Sequence, residues 1–202
     1  MRKGIILAGG HGTRLFPLTL TVSKQLLPIH DKPMIYYPLT TLIKLGIREI
    51  LIICKSEDKK NFKNLFGKGD DLGLKISYEI QNKPKGIAEG LIIAEKFLSN
   101  SSCVFILGDN LFVGNITKSR YQYLLDKEDG ACIFTYKVKD PQRYGILELN
   151  SRNQILNIIE KPKKPKSNNA ITGLYFYDKN ATKIAKKLNP SKRNELEITD
   201  LN

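Results

Sequence analysis

The feature that most constrains this chain is an alternation. Apolar runs of strand length at 4–8 (GIILA), 49–54 (EILIIC), 75–80 (KISYEI), 103–107 (CVFIL) and 131–136 (ACIFTY) are separated by stretches whose apolar residues recur at helical spacing. The clearest of these is 33–45, where Ile35, Leu39, Leu42 and Ile43 share a face, Pro33 suits a first helical turn and Gly46 the residue just past the end. Residues 58–66, before Gly67, and 86–98 read the same way. Strand, helix, strand in repetition predicts right-handed βαβ units and an α/β fold with a mostly parallel central sheet flanked by helices. Ligands of such sheets sit beyond the carboxyl ends of the strands.

After Pro141 the texture changes to shorter strand-like runs at 146–149, 155–159 and 171–177, broken by Asn, Ser and Pro. These predict a smaller second sheet region, with the proline-rich 160–169 segment (EKPKKPKSNN) as a loop between two of its strands. The final NELEITDLN reads as the opening turns of a helix.

With 202 residues, 41% hydrophobic and 26% charged, the chain can bury one sizeable core with a small second lobe. Cys54, Cys103 and Cys132 lie in apolar runs and form no CxxC pair, so they read as reduced, buried thiols in a cytoplasmic protein. The short IILA run after Arg2 and Lys3 gives way to Gly-Gly and then Arg14, too soon for a signal peptide, and no later run suits a membrane span. A net charge of +13 invites a nucleic-acid reading, yet basic residues are interleaved with acids and only 161–166 (KPKKPK) is dense. No aromatic-lined basic strip or recognition-type helix accompanies them, so nucleic acid is not the expected partner.

The chemistry gathers after the first strand. Gly9, Gly10 and Gly12, followed by Thr13 and Arg14, place bare backbone where a loop turns sharply and its N–H groups can approach an anion. Neither GxxxxGK[ST] nor GxGxxG is present, so this is a phosphate cradle of another kind or only a tight turn. Arg14 and Lys24 favour the cradle, because a polyphosphate needs side-chain cations besides amides. Asp109 follows the CVFIL run, at a strand's carboxyl end, where one carboxylate can hold a hard cation or merely cap a turn. Gln81 is a polar residue after a strand, commonly just a turn residue, and Tyr175 and Tyr177 share a strand face on which either could be plain core.

The segment GGHGTRLFPLTLTVSKQLLPI (9–29) resembles the signature of the sugar-1-phosphate nucleotidylyltransferases, and DKPMIYYPL (31–39) is most similar to their thymidylyl-transferring branch. The resemblance continues in order through QNKPKGIAEG, LGDN, DPQRYG, EKP, TGLYFYD and ELEITDLN. It implies a Rossmann-like nucleotidyltransferase fold in one domain over 1–202, with a nucleotide-binding part at 1–140 and a sugar-phosphate part at 141–202. It also implies that this second part is incomplete at its C-terminus.

The implied reaction joins dTTP and glucose 1-phosphate with Mg2+, for deoxysugar and surface polysaccharide synthesis, in a cytoplasmic homo-oligomer. A sugar-phosphate oxygen attacks the α-phosphorus and pyrophosphate leaves, so the work is alignment and charge neutralisation. By resemblance Arg14 takes the departing phosphates, Lys24 the α-phosphoryl group and Asp109 the magnesium. A second magnesium aspartate is implied beyond residue 202, for which Glu195, Glu197 or Asp200 could substitute.

Leu7, Gly9, Gln81, Pro84 and Gly86 are the implied nucleoside contacts, with the glycine loop and Thr13 on the phosphates. Thymine and uracil share the edge an amide would read. Tyr144, Gly145, Glu160, Lys161, Ile171, Tyr175 and Arg193 are implied for the sugar phosphate. Asn194 stands where the family commonly has glycine, and His11 is assigned no side-chain role.

Overall fold

A computed structural model describes residues 2–10 and 12–202. In chain order the elements are β1 (Lys3–Ala8), β2 (Pro28–Ile29), β3 (Lys32–Pro33), α1 (Tyr36–Lys44), β4 (Glu49–Cys54), α2 (Lys59–Phe66), β5 (Lys75–Ile80), α3 (Glu89–Ile93), α4 (Glu95–Leu98) and β6 (Cys103–Leu107). There follow α5 (Lys118–Leu125), β7 (Ala131–Lys137), β8 (Gly145–Leu149), β9 (Ile155–Glu160), β10 (Asn169–Tyr177), α6 (Ala181–Ala185) and α7 (Ile198–Leu201).

β1, β4, β5 and β6 are mutually parallel in the order β5-β4-β1-β6, as the alternation predicts. Their near-continuous apolar sequences follow from burial on both faces. Ile6, Ala8, Ile50, Ile52, Cys54, Val104 and Ile106 pack on one side against Leu39 and Leu42 of α1, Phe62 and Phe66 of α2 and Leu124 of α5. Ile5, Leu7, Leu51, Ile53, Cys103 and Phe105 pack on the other against Leu91 of α3, Leu98 of α4, Ala181 and Ala185 of α6 and Ile198 of α7. Period-2 geometry sorts each strand between the two cores, so a one-residue slip would exchange the sets.

The second sheet region expected after Pro141 is the antiparallel continuation of this same sheet. β10 runs antiparallel to β6 and pairs with β7 and β8, and β9 pairs with β8. A bulge interrupts the β10–β7 register between Ile171 and Tyr175. A separate two-stranded ladder, β2–β3, had no sequence signal strong enough to expect it, and it claims Pro33 for a strand, so α1 begins three residues later.

Arg2 is buried, and its guanidinium donates to the carbonyls of Tyr177 (2.6 Å), Leu125 (3.0 Å), Cys103 (3.4 Å) and Lys127. Cys54 and Cys103 are fully buried and burial pushes their thiols up to about 11 and about 12, whereas Cys132 is only half-buried. Among the described residues no helix is long and apolar enough to cross a membrane.

β1 leads through α1 to β4 and through α2 to β5 on one side, while β6 returns to the other side of β1. The order therefore reverses between β1 and β6. A crevice opens at such a point beyond the strands' carboxyl ends.

Candidate active site

Two loops leave the sheet at this crevice, the glycine loop after Ala8 and Gly108-Asp109-Asn110 after Leu107. They are stitched together by the Gly108 amide donating to Leu7 O at 2.9 Å. Gly12 adopts the left-handed conformation (φ 62°), and a Cβ there would lie 2.8 Å from Thr19 and 3.3 Å from Lys24. The turn is thus folded back onto the segment that carries Lys24. That segment is well anchored, because Ser23 and Gln25 are buried, the Ser23 hydroxyl donates to Gln25 Oε1 (2.5 Å), and Gln25 O accepts from the Ile35 amide (2.9 Å). Lys24 is half-buried and its ammonium pairs with Asp109 Oδ2.

The other Asp109 oxygen accepts from Asn110 Nδ2 at 3.1 Å, and Asn110 Oδ1 accepts from the Gly173 amide at 2.9 Å, inside the β10 bulge. Asn110 therefore ties the first half of the chain to the second, a role that its sequence position did not announce. Asp109 remains about one-third exposed. Among the described residues no three His, Cys, Asp or Glu side chains gather as a metal cage. A single accessible carboxylate is what magnesium needs from protein when substrate phosphates and water complete its shell, so Asp109 fits that ion.

Thr13 and Arg14 lie exposed on a short 3-10 turn, and Gly10 borders open space. Among the described residues no side-chain hydrogen bond or ion pair joins Thr13 or Arg14 to Lys24 or Asp109. His11 lies outside the described residues.

Gln81, buried at the end of β5, faces Gly9 so closely that a Cβ on Gly9 would sit 2.6 Å from Oε1. Its Nε2 donates to Glu89 Oε2 (2.7 Å) and Gly86 O (3.3 Å), and Glu89 also accepts from the Lys85 amide (3.2 Å). Both Nε2 hydrogens are therefore committed and Oε1 is presented as an acceptor. Glu89 is a site residue that the sequence reading missed; its only signal was an acid in the first turn of a helix. Pro84 lies in the same loop, which Gly86 closes.

The remaining expected residues meet around β8, β9 and β10. Gly145 stands opposite Glu160 across β8–β9, and a Cβ there would lie 2.6 Å from Thr199 and 3.2 Å from Glu160 Oε2. Tyr144 is partly exposed, and its carbonyl accepts from the Lys161 amide at 3.0 Å. Glu160 Oε1 lies 3.5 Å from Lys161 Nζ and 3.3 Å from Arg193 Nη2. Burial raises the Glu160 carboxyl above its ordinary value, opposed by Lys161 and Arg193 and reinforced by Glu197.

Tyr175 is buried in the core, stacked on Tyr177 at 5.7 Å, and burial with the nearby Glu160 charge pushes its phenol up. Ile171 sits 3.8 Å from the Cβ position of Gly145. The hydroxyl of Thr199 is buried without a hydrogen-bond partner among the described residues.

The two groups are joined through Leu196. Its amide donates to Lys85 O (2.7 Å) and its carbonyl accepts from the Ala88 amide (3.2 Å), on either side of Gly86. Gly86 has φ 103°, and a Cβ would fall 2.3 Å from Leu196 O. Arg193 precedes this stitch and Glu197 follows it. Asn194 adopts φ 58°, the left-handed turn for which glycine is the easier choice. Glu195 and Glu197 both contact Arg193.

A family model described as "Nucleotidyl transferase" matches residues 3–202. A glucose-1-phosphate thymidylyltransferase of Neisseria meningitidis is 52% identical over 99% of this chain, which spans 69% of that protein. One from Xanthomonas campestris is 50% identical over all of this chain, spanning 68% of its own length. Among solved structures, a Bacillus anthracis protein titled as a glucose-1-phosphate thymidylyltransferase, in complex with sucrose, superposes with a TM-score of 0.92 at 41% identity. All of this chain and 81% of that one are covered. A UDP-glucose pyrophosphorylase complexed with UDP-glucose superposes with a TM-score of 0.82 at 25% identity, over all of this chain and 85% of its own. Sequence and fold agree from one end of the match to the other: the chain belongs to the nucleotidyl transferase family.

Proposed function

We propose that the protein transfers a thymidylyl group from dTTP to glucose 1-phosphate, releasing pyrophosphate and yielding dTDP-glucose. The observation that carries this reading is the identity of half the residues, over essentially the whole chain, with relatives named for that reaction. The geometry supplies a place for each demand. The glycine loop and Arg14 receive the triphosphate, and Arg14, exposed in the free protein, folds onto the departing phosphates. Lys24 neutralises the α-phosphoryl group, and its pairing with Asp109 already puts it beside the residue that would hold magnesium. Magnesium, when bound, would draw charge from the reacting phosphates.

Gln81 Oε1 accepts from the pyrimidine N3–H, with Leu7 and Gly9 beneath the nucleoside and Pro84 and Gly86 shaping the loop. Residues 141–202 hold the sugar phosphate: Lys161 and Arg193 on its phosphate, Glu160 on hydroxyls, and Tyr144, Gly145, Ile171 and Tyr175 around the ring. The attacking phosphate is already ionised near neutral pH, so no general base is required.

Pyrophosphate release by the chain with magnesium and glucose 1-phosphate, measured for dTTP beside UTP, ATP and CTP, tests the proposal. Fastest turnover with dTTP supports it. Preference for UTP would reassign the base, because a single methyl is worth only about 1–3 kcal/mol. Absence of turnover with every nucleotide would remove the proposed reaction from this chain.

A further inference from the structure

Arg193 is surrounded by carboxylates in an uneven way. Its Nε and Nη2 donate to Glu197 Oε1 at 3.2 and 2.8 Å, and Nη2 also reaches Glu197 Oε2 at 2.7 Å. Glu160 and Glu195 touch the same Nη2 from 3.3 and 3.1 Å. The Glu197 side chain is only 8% exposed and is fixed by the Ser191 hydroxyl (2.7 Å), whereas those of Glu160 and Glu195 are 22% and 37% exposed. Among the described residues Nη1 makes no hydrogen bond, so one edge of the guanidinium is clamped and the opposite nitrogen is uncommitted.

We propose that Glu197 is a positioning residue for the sugar-phosphate step: it fixes the orientation of Arg193 so that the free nitrogen meets the phosphate. This rests on the reading of Arg193 as a sugar-phosphate ligand. Three carboxylates around one guanidinium leave the cluster net negative, which repels an incoming dianion, so some contacts must be traded on binding. The longer, more exposed pairs with Glu160 and Glu195 are the ones exchanged; the buried, multiply bonded Glu197 stays. A planar fork held on one edge loses little further freedom when it binds on the other, and its affinity rises accordingly.

The test is calorimetric titration of the full chain with glucose 1-phosphate and, separately, with dTTP, for wild type, Glu197→Gln, Arg193→Ala and the double variant, with thermal melts of each. Glu197→Gln should weaken glucose 1-phosphate by about tenfold or more while dTTP affinity stays within about twofold, and the double variant should bind no more weakly than Arg193→Ala alone. Ser191→Ala, which loosens the clamp without removing it, should weaken glucose 1-phosphate by roughly two- to fivefold and serves if Glu197→Gln fails to fold. Unchanged glucose 1-phosphate affinity in folded Glu197→Gln or Ser191→Ala, or additive losses in the double variant, would overturn the positioning role and leave the proposed reaction standing. Wild type that takes dTTP but no glucose 1-phosphate would overturn the sugar-phosphate reading and this inference with it.

Discussion

Asp109 shows how one side chain can serve two states. It neutralises Lys24 and accepts from Asn110; in the proposed reaction Lys24 would turn to phosphate oxygens and the carboxylate would be left to hold magnesium. Asp109→Ala should therefore abolish magnesium-dependent turnover while leaving the fold intact, as judged by pyrophosphate release and a melting curve; a normal rate would exclude it from the mechanism. Glu89 would act one step removed, by accepting one Nε2 hydrogen of Gln81 and so leaving Oε1 as the acceptor for the base in the proposed reaction. Glu89→Gln should raise KM for dTTP by roughly threefold to tenfold, because the Gln81 amide can then rotate, with little change in KM for glucose 1-phosphate. Equal effects on both substrates in steady-state assays would show that Glu89 merely supports the helix.

At the scale of elements, the junction between the base-side loop and the 193–197 segment is the most sensitive point. Gly86→Ala must place a methyl against Leu196 O while keeping φ near 103°, whereas Gly73→Ala, at φ 63° with open space around it, meets only backbone strain. A loss of about 2 kcal/mol or more, a fall of roughly 4–8 °C in Tm, is expected for Gly86→Ala, and about half of that for Gly73→Ala. KM should rise for both substrates only at position 86.

The strands of the parallel half and the helix ending at Gly67 were legible in the sequence because periodicity and punctuation agree there. The β2–β3 ladder, two residues a strand, is below the length at which a pattern exists. α5 was equally silent, since KSRYQYLL buries only Leu124. Of the candidate site, the loop glycines and Asp109 stood out through position after a strand, whereas Lys24 took its role from the family resemblance. Asn110 and Thr199 did not stand out, because they meet Gly173 and Gly145, residues distant in the chain, and spacing carries no record of that. Glu89 and Glu197 contact Gln81 and Arg193 nearby in sequence, but an acid at such spacing is too common to single out.

Across the whole molecule, the half-buried carboxyl of Glu160 is expected to make stability depend on pH. Burial raises Glu160, with Lys161 and Arg193 opposing and Glu197 adding to the rise. A folded state that holds its proton more tightly than the unfolded chain loses stability as pH climbs from the unfolded carboxyl range through the raised value. Glu160→Gln removes this slope, so wild type should lose ground to the variant in Tm as pH rises above the ordinary carboxyl value of about 4. A constant difference across that range would mean that the carboxyl titrates alike folded and unfolded.

The sheet order has a further consequence for how the chain is made. β6 finishes at Leu107, yet β10, its outer neighbour, begins only at Asn169, and Arg2 waits for the carbonyl of Tyr177. On a ribosome adding about 5–20 residues per second, the growing chain carries a fully apolar strand with one edge unpaired for several seconds before its cover arrives. Of everything in this fold, the open flank of β6 is the surface a nascent-chain chaperone would meet.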